Sequence, residues 1–556
     1  MKYKAIRHVF VFRHCVRSTK DYVKLYDDSN SSSSSSSEKI PISDFFGAST
    51  PMPEWNTPTE WCTETGAEIM KGTGGFLLKD VILGETNTDK TPRKISIQIV
   101  TDTVERDSKT SFELYEGLRN AANDLNMHLT DGEKIYIKGL SKLEYDPVLF
   151  KPEKEAFCEV PKENPQRMFR AVSDRISMLP PPQDADVALT RMAILAGIGT
   201  RSLDNEPNGG YYSLSESSGY KKFEGPLNAL KLMSQMIFYS RASGLDIVPA
   251  ASLEDVMTFA QWVSWMRSIL SVDNSQKALR ASTMGPAIIH ALQTGKHHIL
   301  GRHSEKSPSQ DGDEVDASVV IFVGHDGDLD TIASAFGLGW TLGPPYLDRE
   351  HAQQTTNKAE RESILSTPPG SGFHFRYSVE DDSLSISILY PTFFNSTNAL
   401  NTTGGILERI PAYRRSSFDM GGADASFVVE TDKVSNVLRI QRKNSNEGGV
   451  LDFLQGRLSK AISSHLESDE IDCYSKTMEE LLVCKSVPWS SSSTCTTLVP
   501  HETFYRIGFY ILLGLLAFLS VMTAWRKIRG PRASQKEFDT LSQRDDGGIN
   551  NEIEII

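Results

Sequence analysis

Residues 5–20 of the chain read AIRHVFVFRHCVRSTK, an apolar run that ends abruptly in charged residues. The segment VFVF alternates β-branched and aromatic side chains without a polar one, which is typical of a strand buried on both faces, as in a parallel sheet. Arg13, His14 and Arg17 follow at once. The stretch therefore predicts a central strand with two guanidinium groups and an imidazole at its carboxyl end.

Two later stretches share this design. KISIQIV at 94–100 is followed by TDTVERD, which contains Arg106, and SVVIFVG at 318–324 is followed by His325 and Asp326. In open α/β sheets, ligands bind just beyond the carboxyl ends of the strands. We therefore expect three strands to direct these residues into one site.

The middle of the chain has a different pattern. LNALKLMSQMIFYSRASG at 227–244 and EDVMTFAQWVSWMRSIL at 254–270 carry apolar residues at intervals of three and four, which predicts helices. We predict an α/β fold with a mainly parallel sheet flanked by helices and an inserted helical cap domain. The predicted boundaries are 1–485 for the whole domain, about 1–114 and 276–485 for the sheet core, and about 115–275 for the cap.

Residues 507–525 form an uncharged stretch, IGFYILLGLLAFLSVMTAW. As a helix it would be about 28 Å long, close to the hydrocarbon thickness of a bilayer. Four basic residues follow within the next seven positions, which disfavours a buried core helix and predicts a cytosolic tail at 526–556. We therefore expect one C-terminal transmembrane helix, a Ser/Thr-rich stalk at 486–506 and a lumenal or extracellular catalytic domain.

Other features bear on this orientation. Asn30, Asn395 and Asn401 begin N-x-S/T triplets and are candidate glycosylation sites. A lumenal domain needs a signal peptide, yet the first strand follows directly after Met1. Either an upstream segment supplies the signal, which is our expectation, or targeting relies on the C-terminal segment alone. The final compartment stays open between lysosome or vacuole, secretory pathway and cell surface.

Composition argues against two other kinds of protein. The net charge of −13 disfavours a nucleic-acid-binding protein, which needs clustered Lys and Arg. Six cysteines without a CxxC pair argue against a zinc site. We expect mostly buried thiols and a bridge or two, with Cys473 and Cys484, eleven residues apart, as the candidates for a disulfide.

The residue types at the three strand ends suit a phosphate monoester. Arginine presents a planar fork that meets phosphate oxygens in pairs and keeps its charge. Neutral imidazole attacks phosphorus, and a covalent phosphohistidine splits the hydrolysis into two easier displacements. A second histidine would stabilise the equatorial oxygens, and a protonated carboxyl group would protonate the leaving alkoxide and later activate water.

Three motifs carry a resemblance to a known family. RHCVRSTK resembles the RHGxRxP motif of the branch 2 histidine acid phosphatases, VGHDGDL resembles their HD motif, and VERDSKTSFELYEGL resembles the stretch with their third phosphate-binding arginine. TETGAEIMKGTGGF and TPPGSGFHFRY are also similar to family segments. The resemblance spans roughly residues 5–485.

The resemblance implies an α/β sheet domain with a helical cap, and neither a metal nor an organic cofactor. The site residues that it implies are His14 as nucleophile, Asp326 as proton donor, and Arg13, Arg17, Arg106 and His325 as phosphate ligands. The predicted function is a phosphomonoester hydrolase, an acid phosphatase acting on a small-molecule phosphate ester. Which ester it is, and the oligomeric state, stay open.

The sequence departs from the family pattern in several places. Cys15 replaces the usual glycine, Ser18 and Thr19 stand where a proline is usual, Asp107 replaces a threonine, and Asp328 adds a charge after the HD motif. A side chain at position 15 would crowd a loop where backbone approaches a ligand, and Asp107 could draw the third arginine into an ion pair. The alternative function is therefore a catalytically silent membrane receptor or phosphate-ligand-binding protein that retains the fold.

Overall fold

The computed structural model describes much of the chain between residues 5 and 466. The described ranges are 5–19, 22–25, 38–41, 54–83, 94–128, 136–138, 143–150, 164–178, 225–245, 251–271, 274–297, 317–339, 368–391, 407–411, 413–414, 427–432, 437–443 and 448–466, with a few isolated positions between 187 and 223. The chain divides into two units, Met1–Glu480 and Leu481–Ile556, and every described residue belongs to the first.

Several predicted features lie outside the described residues, and each stays a prediction. They are the transmembrane segment at 507–525, the stalk at 486–506, the tail at 526–556, the cysteines Cys473 and Cys484, and the asparagines Asn30, Asn395 and Asn401. Among the helices that the structure does describe, none is both long and apolar enough to cross a bilayer.

The strands of the described residues form one large sheet and two small ones. In chain order they are β1 Ile6–Arg13, β2 Tyr22–Leu25, β3 Glu38–Pro41, β4 Lys94–Thr101, β5 Tyr136–Lys138, β6 Leu143–Tyr145, β7 Ala317–Gly324, β8 Leu338–Gly339, β9 Gly372–Ser378, β10 Ser383–Pro391, β11 Leu407–Pro411, β12 Tyr413–Arg414, β13 Phe427–Asp432 and β14 Val437–Arg442. β2 pairs with β3, and β8 pairs with β12, in two separate ladders.

The large sheet is mixed. Its order is β13-β14-β10-β9-β1-β7-β4-β5, with β11 beside β10 and β6 beside β4. The strands β1, β7, β4, β5 and β6 run parallel to one another. The pairs β1–β9, β9–β10, β10–β11, β10–β14 and β13–β14 are antiparallel. The prediction of an α/β fold is confirmed, but the prediction of a mainly parallel sheet is wrong for half of it. The reason is local, because the short turn at 379–382 joins β9 to β10, and only antiparallel strands can be joined so tightly.

The central strand β1 is buried on both faces, as its apolar run predicts. Val9 and Val11 face one hydrophobic cluster, and Phe10 and Phe12 face the other; all four are fully buried. Successive side chains of a strand point to opposite faces, so an uninterrupted apolar run is stable only where both faces are covered. β1 therefore lies in the middle of the sheet, with its charged end at one edge.

Helices cover both faces of the sheet. They are α1 Glu64–Phe76, α2 Glu105–His128, α3 Pro147–Phe150, α4 Pro165–Met178, α5 Gly225–Ala242, α6 Leu253–Leu270, α7 Ser275–Thr294, α8 Asp326–Ala335 and α9 Val450–Ser463, and a π-helical turn, Leu77–Ile82, continues α1. α1 and α2 pack on the Phe10 side, whereas α5, α6, α7 and α9 contribute to the cluster on the Val9 side.

Capping residues explain where helices near the site begin. α6 starts after Ser252, whose side chain and that of Asp255 form a reciprocal capping box. α7 starts after Asn274, whose side chain accepts a hydrogen bond from the backbone of Lys277, and ends at Gly295, which has a positive φ of 74°. α8 starts directly after β7, so the strand delivers its last residues to a helix N-terminus.

Among the described residues, the predicted cap at about 115–275 contains α3, α4, α5 and α6, together with the second half of α2, which packs on the Phe10 side of the sheet. Two short strands of the same range, β5 and β6, pair in parallel with β4 and so belong to the sheet. The helices α3, α4, α5 and α6 share the hydrophobic cluster on the Val9 side, where Trp262 and Trp265 are fully buried. The exact boundary between sheet core and cap stays a prediction.

α1 and α2 cross with their backbones in close contact, which gives a test of the packing. A Cβ atom added at Gly74 would overlap the carbonyl oxygen of Leu114, whereas one added at the adjacent Gly75 would lie 3.8 Å from the nearest atom. We predict that Gly74→Ala lowers the free energy of unfolding by roughly 1–3 kcal/mol, because the helices must separate.

The matched control is Gly75→Ala, which should raise the stability by up to about 1 kcal/mol, because alanine is the better helix former. Urea unfolding of the purified full-length protein, followed by fluorescence, measures both variants. Equal stability of the two variants would show that the helices do not approach as closely as described.

Candidate active site

The register of β1 brings two of the predicted motifs together. Arg13 pairs with Gly324 at the end of β7, and the amide of His14 donates to the carbonyl of Gly324 at 2.9 Å. The carbonyl of His14 in turn accepts from the amide of Gly370 at 2.9 Å. His14 therefore lies beside His325, with ring centroids 5.7 Å apart and rings at 76°.

The surroundings of His14 keep its imidazole ring neutral, which is its nucleophilic form. Its Nδ1 lies 2.8 Å from the carbonyl oxygen of Cys15, which assigns the proton to Nδ1 and leaves the lone pair of Nε2 to attack. Burial lowers the pKa of His14 well below its usual value, and the charges of Arg13, Arg106, Arg17 and His325 lower it further. The ring thus stays neutral under acidic conditions.

Arg13 and Arg17 are bridged by a residue that the sequence does not point to. The Nη2 atom of Arg13 donates to the hydroxyl of Tyr239 at 2.7 Å, and the guanidinium of Arg17 lies over the same ring, 5.6 Å from its centroid. Tyr239, on α5, is 3% exposed. Nothing in the helical pattern of α5 distinguishes this tyrosine from a core residue.

The third predicted arginine enters from α2. Arg106 lies in the first turn of that helix, and its charge contributes to the lowered pKa of His14. The hydroxyl of Thr110 donates to the carbonyl of Arg106 at 2.6 Å and accepts from the amide of Cys15 at 2.8 Å. Thr110 thus fastens the nucleophile loop to the helix that carries Arg106.

A disulfide joins Cys15 to Cys62, with Cα atoms 5.8 Å apart and a sequence separation of 47. The bond was not among the pairings expected from the sequence, which concerned Cys473 and Cys484. Cys15 is fully buried in the cluster on the α1 and α2 side, so its side chain packs into the core. The amide of Cys62 donates to Glu105 at 3.1 Å.

Ser18, which directly precedes Thr19 at the position of the usual proline, anchors the other end of the loop. Its amide donates to the carbonyl of Trp61 at 2.9 Å, and its hydroxyl donates to the carbonyl of Pro58 at 2.5 Å. Together with the disulfide, these contacts hold residues 13–19 against the 58–62 segment. The loop is therefore fixed by bonds that replace the conformational restriction of a proline.

Three carboxyl groups surround His325. Its Nε2 lies 3.2 Å from Asp102 and 3.3 Å from Asp107, and its amide donates to Asp328 at 2.7 Å. Burial disfavours the charged ring, but the hydrogen bond to Asp102 and the charges of Asp107 and Asp328 outweigh it and raise the pKa of His325. His325 is thereby kept cationic for an anionic ligand.

Asp107 pairs with His325, whereas the sequence suggested that it could pair with Arg106. Its carboxyl group faces His325 and is fully buried. Burial raises the pKa of Asp107 to about 7; Asp102 and Asp328 add to the rise, and His325 and Arg106 oppose it. At acidic pH the group is therefore neutral, and above neutrality it carries a charge.

Asp326, the predicted proton donor, is the first residue of α8 and is held by two guanidinium groups. Its Oδ2 lies 3.3 Å from Nη2 of Arg13 and 2.9 Å from Nη1 of Arg267. Burial opposes its charge, but Arg267 and Arg13 prevail and hold the pKa of Asp326 well below its usual value. Arg267 was missed by the sequence analysis, although it is the only charged residue in the apolar stretch 259–270.

One group among the described residues has the spacing of a metal site. Potential ligand atoms of His14, Asp107 and His325 all lie within 4.8 Å of one another. The same place is surrounded by arginines whose charges already lower the pKa of His14, and such a field repels a cation and attracts an anion. The geometry therefore fits an oxyanion better than a metal ion.

Comparison with protein-family models finds no match, and comparison with curated proteins finds no significant one. Solved structures do match. A Hafnia alvei phytase in complex with myo-inositol hexakis sulphate superposes with a TM-score of 0.51 and 13% identity, over 84% of this chain and 98% of that one.

Two further structures are similar at lower scores. A Citrobacter braakii phytase has a TM-score of 0.48 with 16% identity, over 83% of this chain and 98% of its own. A Bifidobacterium longum multiple inositol polyphosphate phosphatase in complex with inositol hexasulfate has a TM-score of 0.37 with 11% identity, over 74% and 87%. The likeness to the Hafnia alvei phytase, at 13% identity, shows a shared fold. The chain thus has the histidine acid phosphatase fold, as the resemblance of its motifs predicts.

Proposed function

We propose that the protein hydrolyses phosphate monoesters through a phosphohistidine on His14. The observation that carries the proposal is the state of this ring, which is buried, neutral and hydrogen-bonded through Nδ1 amid cationic groups. Cationic groups that surround a buried site favour the binding of an anion. The geometry of the cluster supports a phosphate group as that anion.

In the first step, the phosphate oxygens bind the cationic groups Arg13, Arg17, Arg106 and His325. The lone pair of His14 Nε2 forms a bond to phosphorus while the bond from phosphorus to the ester oxygen breaks. Asp326, once protonated, gives its proton to the departing oxygen. The products of this step are an alcohol, a phosphohistidine and an ionised carboxylate.

In the second step, water attacks phosphorus as the bond from nitrogen to phosphorus breaks. The carboxylate of Asp326 accepts the proton of that water, so that His14 returns to its neutral form and inorganic phosphate is released. The role of Asp326 is thus acid in one step and base in the next. Its charged state before substrate binds means that the proton arrives with the substrate.

A specific observation also supports the second candidate, a binding protein without catalysis. Arg13 and Asp326, two of the predicted site residues, form an ion pair with each other. Asp107 and Asp328 add acidic groups where phosphate would bind. A silent receptor of phosphate ligands would keep the fold and the affinity while losing turnover.

We further propose that the catalytic domain lies on the lumenal or extracellular side of a membrane, anchored by one C-terminal span. The disulfide between Cys15 and Cys62 supports an oxidising compartment, where such bonds persist. The substrate is a small phosphate ester. Because the similar Hafnia alvei phytase holds an inositol hexakis sulphate, inositol phosphates are the first natural esters to assay.

The first prediction concerns turnover itself. Full-length protein should release p-nitrophenol from p-nitrophenyl phosphate with a maximum below pH 7, and His14→Ala should reduce kcat by a factor on the order of 10³ or more. His465→Ala, two residues after the end of α9, is the matched control and should keep full activity. Activity that is absent, or unchanged in His14→Ala, would favour the binding protein.

The second prediction concerns pH. As pH rises through about 7, Asp107 loses its proton and places a negative charge beside His325, which weakens the binding of a phosphate dianion. The KM for p-nitrophenyl phosphate should therefore rise above neutrality. In Asp107→Asn the side chain stays neutral, so KM at pH 8 should be roughly tenfold lower than in the wild type.

Asp124→Asn is the control for this variant, since Asp124 lies on the same helix in an exposed pair with Lys79. Its KM should follow the wild-type pH profile. If Asp107→Asn showed that same profile, Asp107 would have no part in phosphate affinity. The measurement is KM against pH from 4 to 9.

A further inference from the structure

Arg267 makes three close contacts from the cap to the helix that carries the predicted proton donor. It lies in the last turn of α6. Its Nη1 donates to Oδ2 of Asp326 at 2.9 Å, and its Nε and Nη2 each lie 3.0 Å from Oδ2 of Asp330. Asp326 and Asp330 are four residues apart on α8 and so share one face of that helix. One guanidinium thus spans both carboxylates.

Arg13 contacts the same oxygen of Asp326, but only while no phosphate group is bound. Its Nη2 lies 3.3 Å from Oδ2 of Asp326, and Arg13 is also a predicted phosphate ligand. When a phosphate group enters, the dianion competes with Asp326 for this guanidinium. Arg267 is not drawn away in the same manner, because its second edge is tied to Asp330. Of the two cations on Asp326, Arg267 is therefore the one that stays.

We propose that Arg267 is a positioning residue: it fixes the Asp326 carboxyl group in the orientation from which the proton passes to the leaving oxygen. The cap helix α6 thereby becomes part of the active site. This inference rests on the proposed phosphatase function. It adds to the site a residue that acts through Asp326. Neither the motifs nor the fold identifies this residue.

The proton balance follows from the charges around Asp326. In the free site its carboxylate is ionised, since Arg267 and Arg13 hold its pKa well below the usual value against the effect of burial. A phosphate monoester monoanion brings one proton. On binding, that proton passes to Asp326, the phosphate becomes a dianion on the arginines, and Arg13 turns from the carboxylate to the phosphate. The loss of one cation and the gain of an adjacent dianion both favour the protonated carboxyl group.

Other titratable groups that face Asp326 do not replace Arg267. His14 and His325 act on it from the nucleophile side, and Lys231 of α5 interacts with it electrostatically from the cap. Within the described residues, the contacts to its Oδ2 come from Arg13 and Arg267. Hydrogen bonds fix an orientation in a way that a distant charge does not. The other oxygen, Oδ1, accepts from the amide of Gly327 at 3.0 Å, so removal of Arg267 should leave the carboxyl group held at one oxygen alone once Arg13 has turned to the phosphate.

A purely structural role for Arg267 makes a different prediction. If it only fastened the cap to α8, its loss would slow all esters equally. A positioning role predicts a dependence on the leaving group, because p-nitrophenolate departs without a proton whereas an alkoxide needs one. The quantity to compare is kcat/KM, which reports the steps up to formation of the phosphohistidine.

The experiment uses the full-length protein and the variants Arg267→Gln and Arg267→Lys, with β-glycerophosphate and p-nitrophenyl phosphate as substrates from pH 3.5 to 8. For Arg267→Gln, we expect kcat/KM for β-glycerophosphate to fall by about tenfold to a hundredfold, and kcat/KM for p-nitrophenyl phosphate by less than about threefold. The alkaline limb for β-glycerophosphate should move to higher pH, since one cation on Asp326 is lost. Arg267→Lys should recover part of the loss.

Arg191→Gln is the matched control. Arg191 forms an ion pair with Asp255 at the other end of α6, at 2.7 Å, so the variant removes a comparable bond from the same helix without touching Asp326. Its leaving-group dependence should equal that of the wild type. Asp330→Asn is the second test variant, because it cuts the anchor of Arg267 while keeping the arginine, and it should show the same leaving-group effect at smaller size.

Three outcomes would overturn the inference. They are equal losses for both esters in Arg267→Gln, unchanged pH profiles in Arg267→Gln and Asp330→Asn, and loss of folding in both variants, which would assign Arg267 to structure. A wild type that is inactive, or insensitive to His14→Ala, would instead refute the phosphatase function, and the inference would fall with it.

Discussion

The parallel pairing of β1 with β7 is the constraint on which the site depends. Because Arg13 lies opposite Gly324, the residues that follow each strand, His14 and His325, meet at the same edge of the sheet. The pairing is held by an apolar run that is buried on both faces, and a shift of one residue would turn every side chain of β1 to the wrong face. The hydrophobic core thereby fixes the relative position of nucleophile and phosphate ligands.

The electrostatics of the site follow from this geometry. Cations from β1, α2 and the loop after β7 converge on one buried imidazole and keep it neutral. Carboxyl groups pair with these cations on two sides. Asp102 and Asp107 lie beside His325, and Asp326 lies between Arg13 and Arg267. In the absence of substrate the site is thus balanced by internal ion pairs. A phosphate monoester monoanion enters by giving its proton to Asp326 and replacing that carboxylate on Arg13. Such an exchange couples substrate binding to the position of a proton.

Local sequence patterns predict the parallel part of the sheet and the position of the site. The apolar runs placed β1, β4 and β7, and the abrupt change to Arg and His after each run located the edge where the predicted residues meet. The antiparallel half of the sheet was missed, because antiparallel pairing depends on short turns such as 379–382 that carry little signal. Tyr239, Arg267 and the Cys15–Cys62 bond were missed for another reason. They join residues separated by 226, 59 and 47 positions, and no periodicity reaches so far.

The central claim is that His14 carries the phosphoryl group, and trapping this intermediate tests it most directly. Full-length protein would be mixed with a ³²P-labelled phosphate ester, denatured in alkali, in which phosphohistidine survives, and digested for mass spectrometry. We expect the label on the peptide that contains His14, attached to Nε2 because Nδ1 donates to the carbonyl of Cys15. Absence of label while the ester is hydrolysed, or label on another residue, would contradict it.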